Sequence, residues 1–235
     1  MNKITFEKIE DLDYRSNESY KTLRTNLQFC GSEVKVILFT SCIPNEGKSS
    51  VSFHLAKSFA ENGKKVILID ADLRKSVIIG QRRVNTQIEG LSYYLSGQKK
   101  LEEVIYDTNI ENMSIIFAGK VPPNPSELLG HERFKQMIDH LKESYDYVII
   151  DTPPLGSVID SAVIAPYCDG AVLVISSNMV SYRFAQDVKM QLEKTNCPIL
   201  GAVLNKVPMD KKGYYGRYYG SYYGKYYGTY AQDKK

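Results

Sequence analysis

The stretch VKVILFTSCIPNEGKSS, residues 34–50, decides how this chain is read. Its first half, Val34–Thr40, is almost unbroken Val, Ile, Leu and Phe, as expected of a strand buried on both faces of a parallel sheet. Its second half ends in Gly47-Lys48-Ser49-Ser50 and runs into Lys48–Asn62, which reads as a helix. Strand, short loop and helix with GKS at the corner come close to the pattern GxxxxGK(S/T). At such a corner, backbone N–H groups wrap phosphates at a helix N-terminus, where the peptide dipoles favour negative charge. Lys48 would reach the β- and γ-phosphates, and the Ser49 hydroxyl would take a Mg²⁺ position. Cys42 stands where the pattern has its first glycine, and Asn45 tolerates the left-handed backbone that a tight loop can demand. The candidate nucleotide-binding residues here are Asn45, Glu46, Gly47, Lys48, Ser49 and Ser50.

A GKS tripeptide also occurs by chance at strand–helix junctions, so two further motifs carry the weight. The run Val66–Asp70 ends in Asp70-Ala71-Asp72-Leu73-Arg74, and Tyr147–Asp151 continues into Thr152-Pro153-Pro154. Both place aspartates at the carboxyl ends of apolar strands, where open α/β sheets gather their ligands. Aspartates often only cap a following helix. Clustered carboxylates without cations, however, repel one another and lose hydration. Mg²⁺ removes that conflict, binding through one or two carboxylates plus phosphate oxygens and waters. Other candidate strands are Met113–Phe117, Ala171–Ser176 and Leu200–Leu204. Candidate helices are Asn17–Gln28, Ser126–Ser144, Ser161–Pro166 and Ser181–Thr195. The alternation predicts an α/β P-loop fold, a mostly parallel sheet with helices on both faces. One domain is expected over residues 1–208, followed by a flexible tail over 209–235.

That tail is the chain's other distinctive feature. It holds nine of the eighteen tyrosines, Tyr214, Tyr215, Tyr218, Tyr219, Tyr222, Tyr223, Tyr226, Tyr227 and Tyr230, on a four-residue beat with glycine. Glycine at every repeat disfavours both helix and strand, so the segment reads as a disordered carrier of phenol groups. The remaining totals exclude more than they assert. Length is 235 residues, net charge +3, charged residues 24% and hydrophobic residues 43%, an ordinary globular composition with no case for nucleic acid. Cys30, Cys42, Cys168 and Cys197 form no CxxC pair and read as reduced thiols. No apolar run approaches the ~20 residues of a membrane span, and the start, MNKITFEKIEDLDYR, is not a secretory signal. The basic group Arg74, Lys75, Arg82 and Arg83 suits a phosphate, the acidic part of a partner or, at least as well, a solvated surface, and receives no role.

Together, SCIPNEGKSS, VILIDADLR and YVIIDTPP followed by a tyrosine cluster resemble the bacterial protein-tyrosine kinases of capsule and exopolysaccharide biosynthesis. GLSYYLSG (90–97) and AGKVPPNPSELL (118–129) extend the likeness over most of the chain, and no HRD or DFG element of the eukaryotic kinases is present. The resemblance implies ATP and Mg²⁺ as cofactors. It implies catalytic roles for Lys48, Asp70 and Asp72, metal contacts from Ser49, Asp70 and Asp151, and a nucleotide contact from Asn205 in GAVLNK. Glu18, Lys21 and Arg24 match the family's ExxRxxR oligomerisation segment, with Lys21 at the first arginine, where a bidentate contact would be weakened. The implied partners are further copies in a ring, a transmembrane adaptor whose cytoplasmic end activates the kinase at the inner face of the membrane, and a cognate tyrosine phosphatase. The implied reaction is autophosphorylation of the tail tyrosines. Their phenols, with an ordinary pKa of about 10, need a nearby base or cation to attack at neutral pH, and Asp70 or Asp72 could accept the proton.

Two alternatives stand beside this reading. A partition-type ATPase of the same P-loop branch would carry a lysine five residues before Lys48, where this chain has Ile43. A nucleotide-gated scaffold would use the Tyr/Gly tract for adhesion. The tail's 27 residues reach ~30 Å as a coil and ~95 Å stretched, enough for its own site or a neighbour's.

Overall fold

Apolar runs without polar alternation need cover on both faces, and this sheet has it. The computed structural model describes residues 2–82 and 88–208; the tail tyrosines and Arg83 lie outside them. Among the described residues there are eight strands: β1 (Asn2–Lys3), β2 (Val36–Ser41), β3 (Val66–Asp70), β4 (Tyr106–Asp107), β5 (Met113–Ile116), β6 (Tyr147–Asp151), β7 (Gly170–Ser176) and β8 (Ile199–Asn205). They form one sheet in the order β1-β4-β5-β3-β6-β2-β7-β8, parallel throughout except for the antiparallel pair β4–β5.

Successive residues of each central strand enter opposite cores, as the two-residue pleat requires. Ile37 and Phe39 of β2 and Leu68 of β3 pack with Phe53, Leu55 and Phe59. Those three belong to α2 (Lys48–Glu61), which is backed by α1 (Tyr14–Phe29). Val36 and Leu38, with Ile67 and Ile69, join Phe134, Met137, Ile138, Leu141, Val188 and Leu192 on the other face. The remaining helices are α3 (Ile78–Arg82), α4 (Leu91–Leu95), α5 (Leu101–Val104), α6 (Pro125–Leu129), α7 (Glu132–Ser144), α8 (Asp160–Ile164) and α9 (Tyr182–Glu193). None of the described helices is long and apolar enough to cross a membrane.

The long strands and helices fall where the apolar pattern places them, with three informative differences. The single helix expected over Ser126–Ser144 is two, α6 and α7. The break lies at Gly130-His131, where the His131 ring nitrogen accepts from the Arg133 N–H (3.3 Å) and caps the second helix. The helix expected over Ser161–Pro166 ends at Ile164, and Ala165–Tyr167 tighten into a 3₁₀ turn around Pro166. α1 starts three residues before Asn17, because Asp13 accepts from the Ser16 N–H (2.7 Å) and caps it. Strands β1 and β4 and helices α3, α4 and α5 have two to five residues each, too few for any period to show.

One ion pair anchors the start of β2. Asp169 accepts from the backbone N–H groups of Lys35 (3.0 Å) and Val36 (2.8 Å) and from Lys142 (2.5 Å). Burial alone would raise its pKa, but Lys142 and the two N–H groups outweigh that and hold it below the ordinary carboxylate value. A carboxylate depressed in the folded state stabilises at pH above its unfolded value of about 3.9, and that stability is lost as pH falls through the folded value. Asp169→Asn should cost about 1.5–3 kcal/mol at pH 7 and flatten the acid side of the stability curve. Urea unfolding of both proteins between pH 7 and pH 3 checks this. Parallel curves would contradict it.

Candidate active site

The sheet order sets the site. Because β6 lies between β2 and β3, the loop after β2 and the ends of β6 and β3 stand side by side, with Asp70 and Asp151 as register partners. Residues 42–47 form the corner between β2 and α2. Asn45 (φ 67°) and Gly47 (φ 90°) take left-handed backbone, which fits asparagine and glycine at those places. A Cβ on Gly47 would stand 2.2 Å from the Asn205 amide nitrogen, so glycine is required there for space as well.

Lys48, first residue of α2, is buried, with its ammonium 3.4 Å from Asp151 Oδ1, 3.5 Å from Asp72 Oδ2 and 3.2 Å from Ser49 Oγ. Burial works against its charge, but Asp151, Asp72 and Asp70 outweigh burial and raise its pKa above the ordinary lysine value. The carboxylates feel the reverse. Burial first, then the charge of Asp151, pushes Asp70 up, against a 2.5 Å hydrogen bond from Ser76. Burial likewise raises Asp151, against the pull of Lys48 and Ser49.

One ammonium therefore faces three carboxylates in a space largely closed to water. Asp151 Oδ2 is buried with no hydrogen-bond partner among the described residues. An unpaired buried carboxylate oxygen is costly, and its neighbours here are carboxylates and the Ser49 hydroxyl, hard oxygen donors suited to Mg²⁺. Among the described residues no three acidic, histidine or cysteine side chains converge as a complete metal cage. Mg²⁺ does not need one when phosphate and water complete its shell.

Residues 34–195 match the AAA domain family. The tyrosine-protein kinase CpsD of Streptococcus agalactiae is 44% identical over 193 residues, covering 82% of this chain and 84% of that protein. The chain belongs to the bacterial tyrosine-protein kinase family. Its fold is the P-loop NTPase fold of that family's solved domains. The chimerical protein CapA2B2 superposes with a TM-score of 0.80 at 31% identity, covering 88% of this chain and 95% of that one. The kinase domain of Escherichia coli tyrosine kinase ETK gives 0.76 at 34% identity, covering 84% and 80%.

In this kinase Lys48, Ser49, Asp70, Asp72 and Asp151 share one cluster, while Ser50 is the next residue along α2. Two other candidates meet the loop differently from the simple picture. Glu46 is fully buried and turns its carboxylate inward, accepting from the N–H groups of Cys42 (2.6 Å), Ile43 (2.9 Å) and Ser176 (2.9 Å). Its side chain holds the loop in shape, leaving only its backbone to face a phosphate. Asn205 donates to the Glu46 carbonyl (2.9 Å), and Lys206 donates to that of Asn45 (2.6 Å), so the end of β8 is tied to the loop.

The motif pattern also missed a polar knot behind Asp151. Ser161 Oγ lies 2.9 Å from Thr40 Oγ1 and 2.8 Å from Thr152 Oγ1 and donates to the Pro153 carbonyl (2.6 Å), all fully buried or nearly so. Serines and threonines in apolar runs carry no spacing rule that would have exposed it. In α1, Lys21 pairs with Glu18 of its own helix (2.7 Å), and Arg24 reaches across to the Ser58 carbonyl of α2 (2.7 Å).

Glu46 gives a direct test. Glu46→Ala leaves three backbone N–H groups without their acceptor, at about 1–3 kcal/mol each before relaxation. Chemical unfolding should show a loss of at least ~3 kcal/mol. A change within ~0.5 kcal/mol would remove the bracing role.

Proposed function

We propose that this kinase transfers the γ-phosphoryl group of Mg·ATP to tyrosines of its own C-terminal cluster, under control of a transmembrane adaptor, in capsule or exopolysaccharide export. The observation that supports it most is the Lys48 ammonium held 3.4–3.5 Å from Asp151 and Asp72 at the strand–helix corner, beside the unpaired Asp151 oxygen. Phosphoryl transfer asks mainly for positioning and charge neutralisation, and this cluster is built for both. Ser49, Asp70 and Asp151 would hold Mg²⁺, which offsets charge on the phosphates when bound. Backbone N–H groups of Asn45–Ser50 would cradle the phosphates, with Lys48 on the β- and γ-oxygens and Asn205 near the base.

The attacking phenol oxygen forms a bond to the γ-phosphorus, the bond from that phosphorus to the bridging oxygen breaks, and ADP leaves. The phenol proton goes to a carboxylate. Asp70 or Asp72 takes that role: Asp70 is fully buried and accepts from Ser76, while Asp72 keeps slight exposure and accepts from the Arg74 and Lys75 N–H groups. The acceptors are Tyr214, Tyr215, Tyr218, Tyr219, Tyr222, Tyr223, Tyr226, Tyr227 and Tyr230, and transfer runs between subunits of a ring. Glu18, Lys21 and Arg24 lie on α1, the helix assigned to ring assembly. Each phosphate adds about −1.5 to −2 charge, so nine would take the chain from +3 to about −10 to −15. That repulsion opposes the crowding of tails, and a phosphatase resets it.

The test is incubation of the full chain with Mg·ATP and the adaptor's cytoplasmic segment, followed by phosphotyrosine mapping. Label should appear on the terminal cluster and fall by about 100-fold or more in Lys48→Met. Nucleotide binding without label on any tyrosine would leave only a nucleotide-responsive scaffold.

A further inference from the structure

The two aspartate motifs that flank Lys48 are fastened to the same helical turn, by consecutive residues. Asp160 opens α8 and is fully buried. Its Oδ2 accepts from Arg74 Nε (2.7 Å) and its Oδ1 from Arg74 Nη2 (2.9 Å), a two-pronged bond that fixes angle as well as distance. Ser126, in the first turn of α6, completes the clamp, with its Oγ 2.7 Å from Asp160 Oδ1 and 2.9 Å from Arg74 Nη2. The next residue, Ser161, holds the other motif through Thr152 and the Pro153 carbonyl, directly after Asp151.

What Arg74 anchors is the turn that shapes the carboxylates. The N–H groups of Arg74 (3.3 Å) and Lys75 (2.9 Å) donate to Asp72 Oδ1, leaving Asp72 Oδ2 toward Lys48. Within the same turn the Asp72 N–H (3.2 Å) and the Ser76 hydroxyl (2.5 Å) donate to Asp70. A shift of Arg74 thus moves the backbone donors that orient Asp72, and a shift of Ser161 moves the segment carrying Asp151.

We infer that Asp160 is a positioning residue for phosphoryl transfer: with Ser161 it sets the spacing of Asp72 and Asp151 about Lys48, acting through Arg74. The inference rests on the kinase reading above. It requires Arg74 as arginine, because lysine offers one point of charge where the clamp uses a planar fork. It also places the transfer geometry under the control of α8, a helix that bears none of the residues assigned to the nucleotide.

The experiment compares wild type with Arg74→Lys, Asp160→Asn and the double variant, with the adaptor's cytoplasmic segment present and a peptide carrying the YYGRYYG repeat as acceptor. Misplacing a reacting group by about 1 Å can cost ~100-fold in rate. Each single variant should lose about 10- to 100-fold in kcat while KM for Mg·ATP stays within about 3-fold. The double variant should be no slower than the slower single one, as residues acting as a unit are not additive. Amide hydrogen exchange should speed up in residues 70–76 and stay unchanged in the central strands. Wild-type kcat in Arg74→Lys, additive losses, or faster exchange throughout the sheet would each overturn the inference. If Asp160→Asn does not fold, Arg74→Lys carries both readouts. If wild type transfers no phosphate, the kinase reading fails, and exchange of residues 70–76 in Arg74→Lys still decides the clamp.

Discussion

One lysine ammonium buried among three aspartates is the constraint on which this molecule turns. Removing such charges from water is costly, and the attraction between Lys48 and its neighbours offsets that cost only if the geometry is well kept. A single ammonium cannot balance three carboxylates; burial pushes Asp70 and Asp151 up, and Asp151 Oδ2 has no hydrogen-bond partner among the described residues. The divalent cation and polyphosphate proposed above would offset that excess of negative charge.

Much of the surrounding structure keeps that geometry. The sheet order brings β2, β6 and β3 together, so one face collects the phosphate loop and both aspartate motifs. Glu46 ties three backbone N–H groups from the loop and β7. Thr40, Thr152 and Ser161 pin the segment after Asp151, and Gly156 lets that segment close on the loop, since a Cβ there would stand 2.1 Å from the Cys42 carbonyl oxygen. Several of these contacts span long sequence separations, Glu46 to Ser176 and Thr40 to Ser161 among them. The site is thus a product of the whole fold and not of the GKS corner alone.

That distinction explains what the sequence revealed and what it hid. The central strands were legible because apolar runs without alternation have few other uses, and the Lys48 corner because its spacing follows from phosphate geometry. Asp70, Asp72 and Asp151 could be singled out as strand-end carboxylates. Arg74, by contrast, received no role, since nothing in the order of residues links it to Asp160, eighty-six positions on. Glu46 was grouped with the nucleotide-binding loop, because the motif gives its place there and not the direction of its side chain. The break between α6 and α7 was hidden because an apolar period continues across Gly130 while the His131 cap restarts the helix. Short elements such as β4 and α5 owe their form to neighbours in the sheet and carry no period of their own.

The claim that the aspartate cluster is completed by a divalent cation can be measured without any phosphoryl transfer. Binding of a fluorescent ATP analogue would be titrated with and without Mg²⁺, in wild type and in Asp151→Asn. The account predicts that Mg²⁺ tightens binding by about 10-fold or more in wild type, and that most of this gain disappears in Asp151→Asn, which removes one of the carboxylates that would hold the cation. An equal Mg²⁺ effect in both proteins would contradict it.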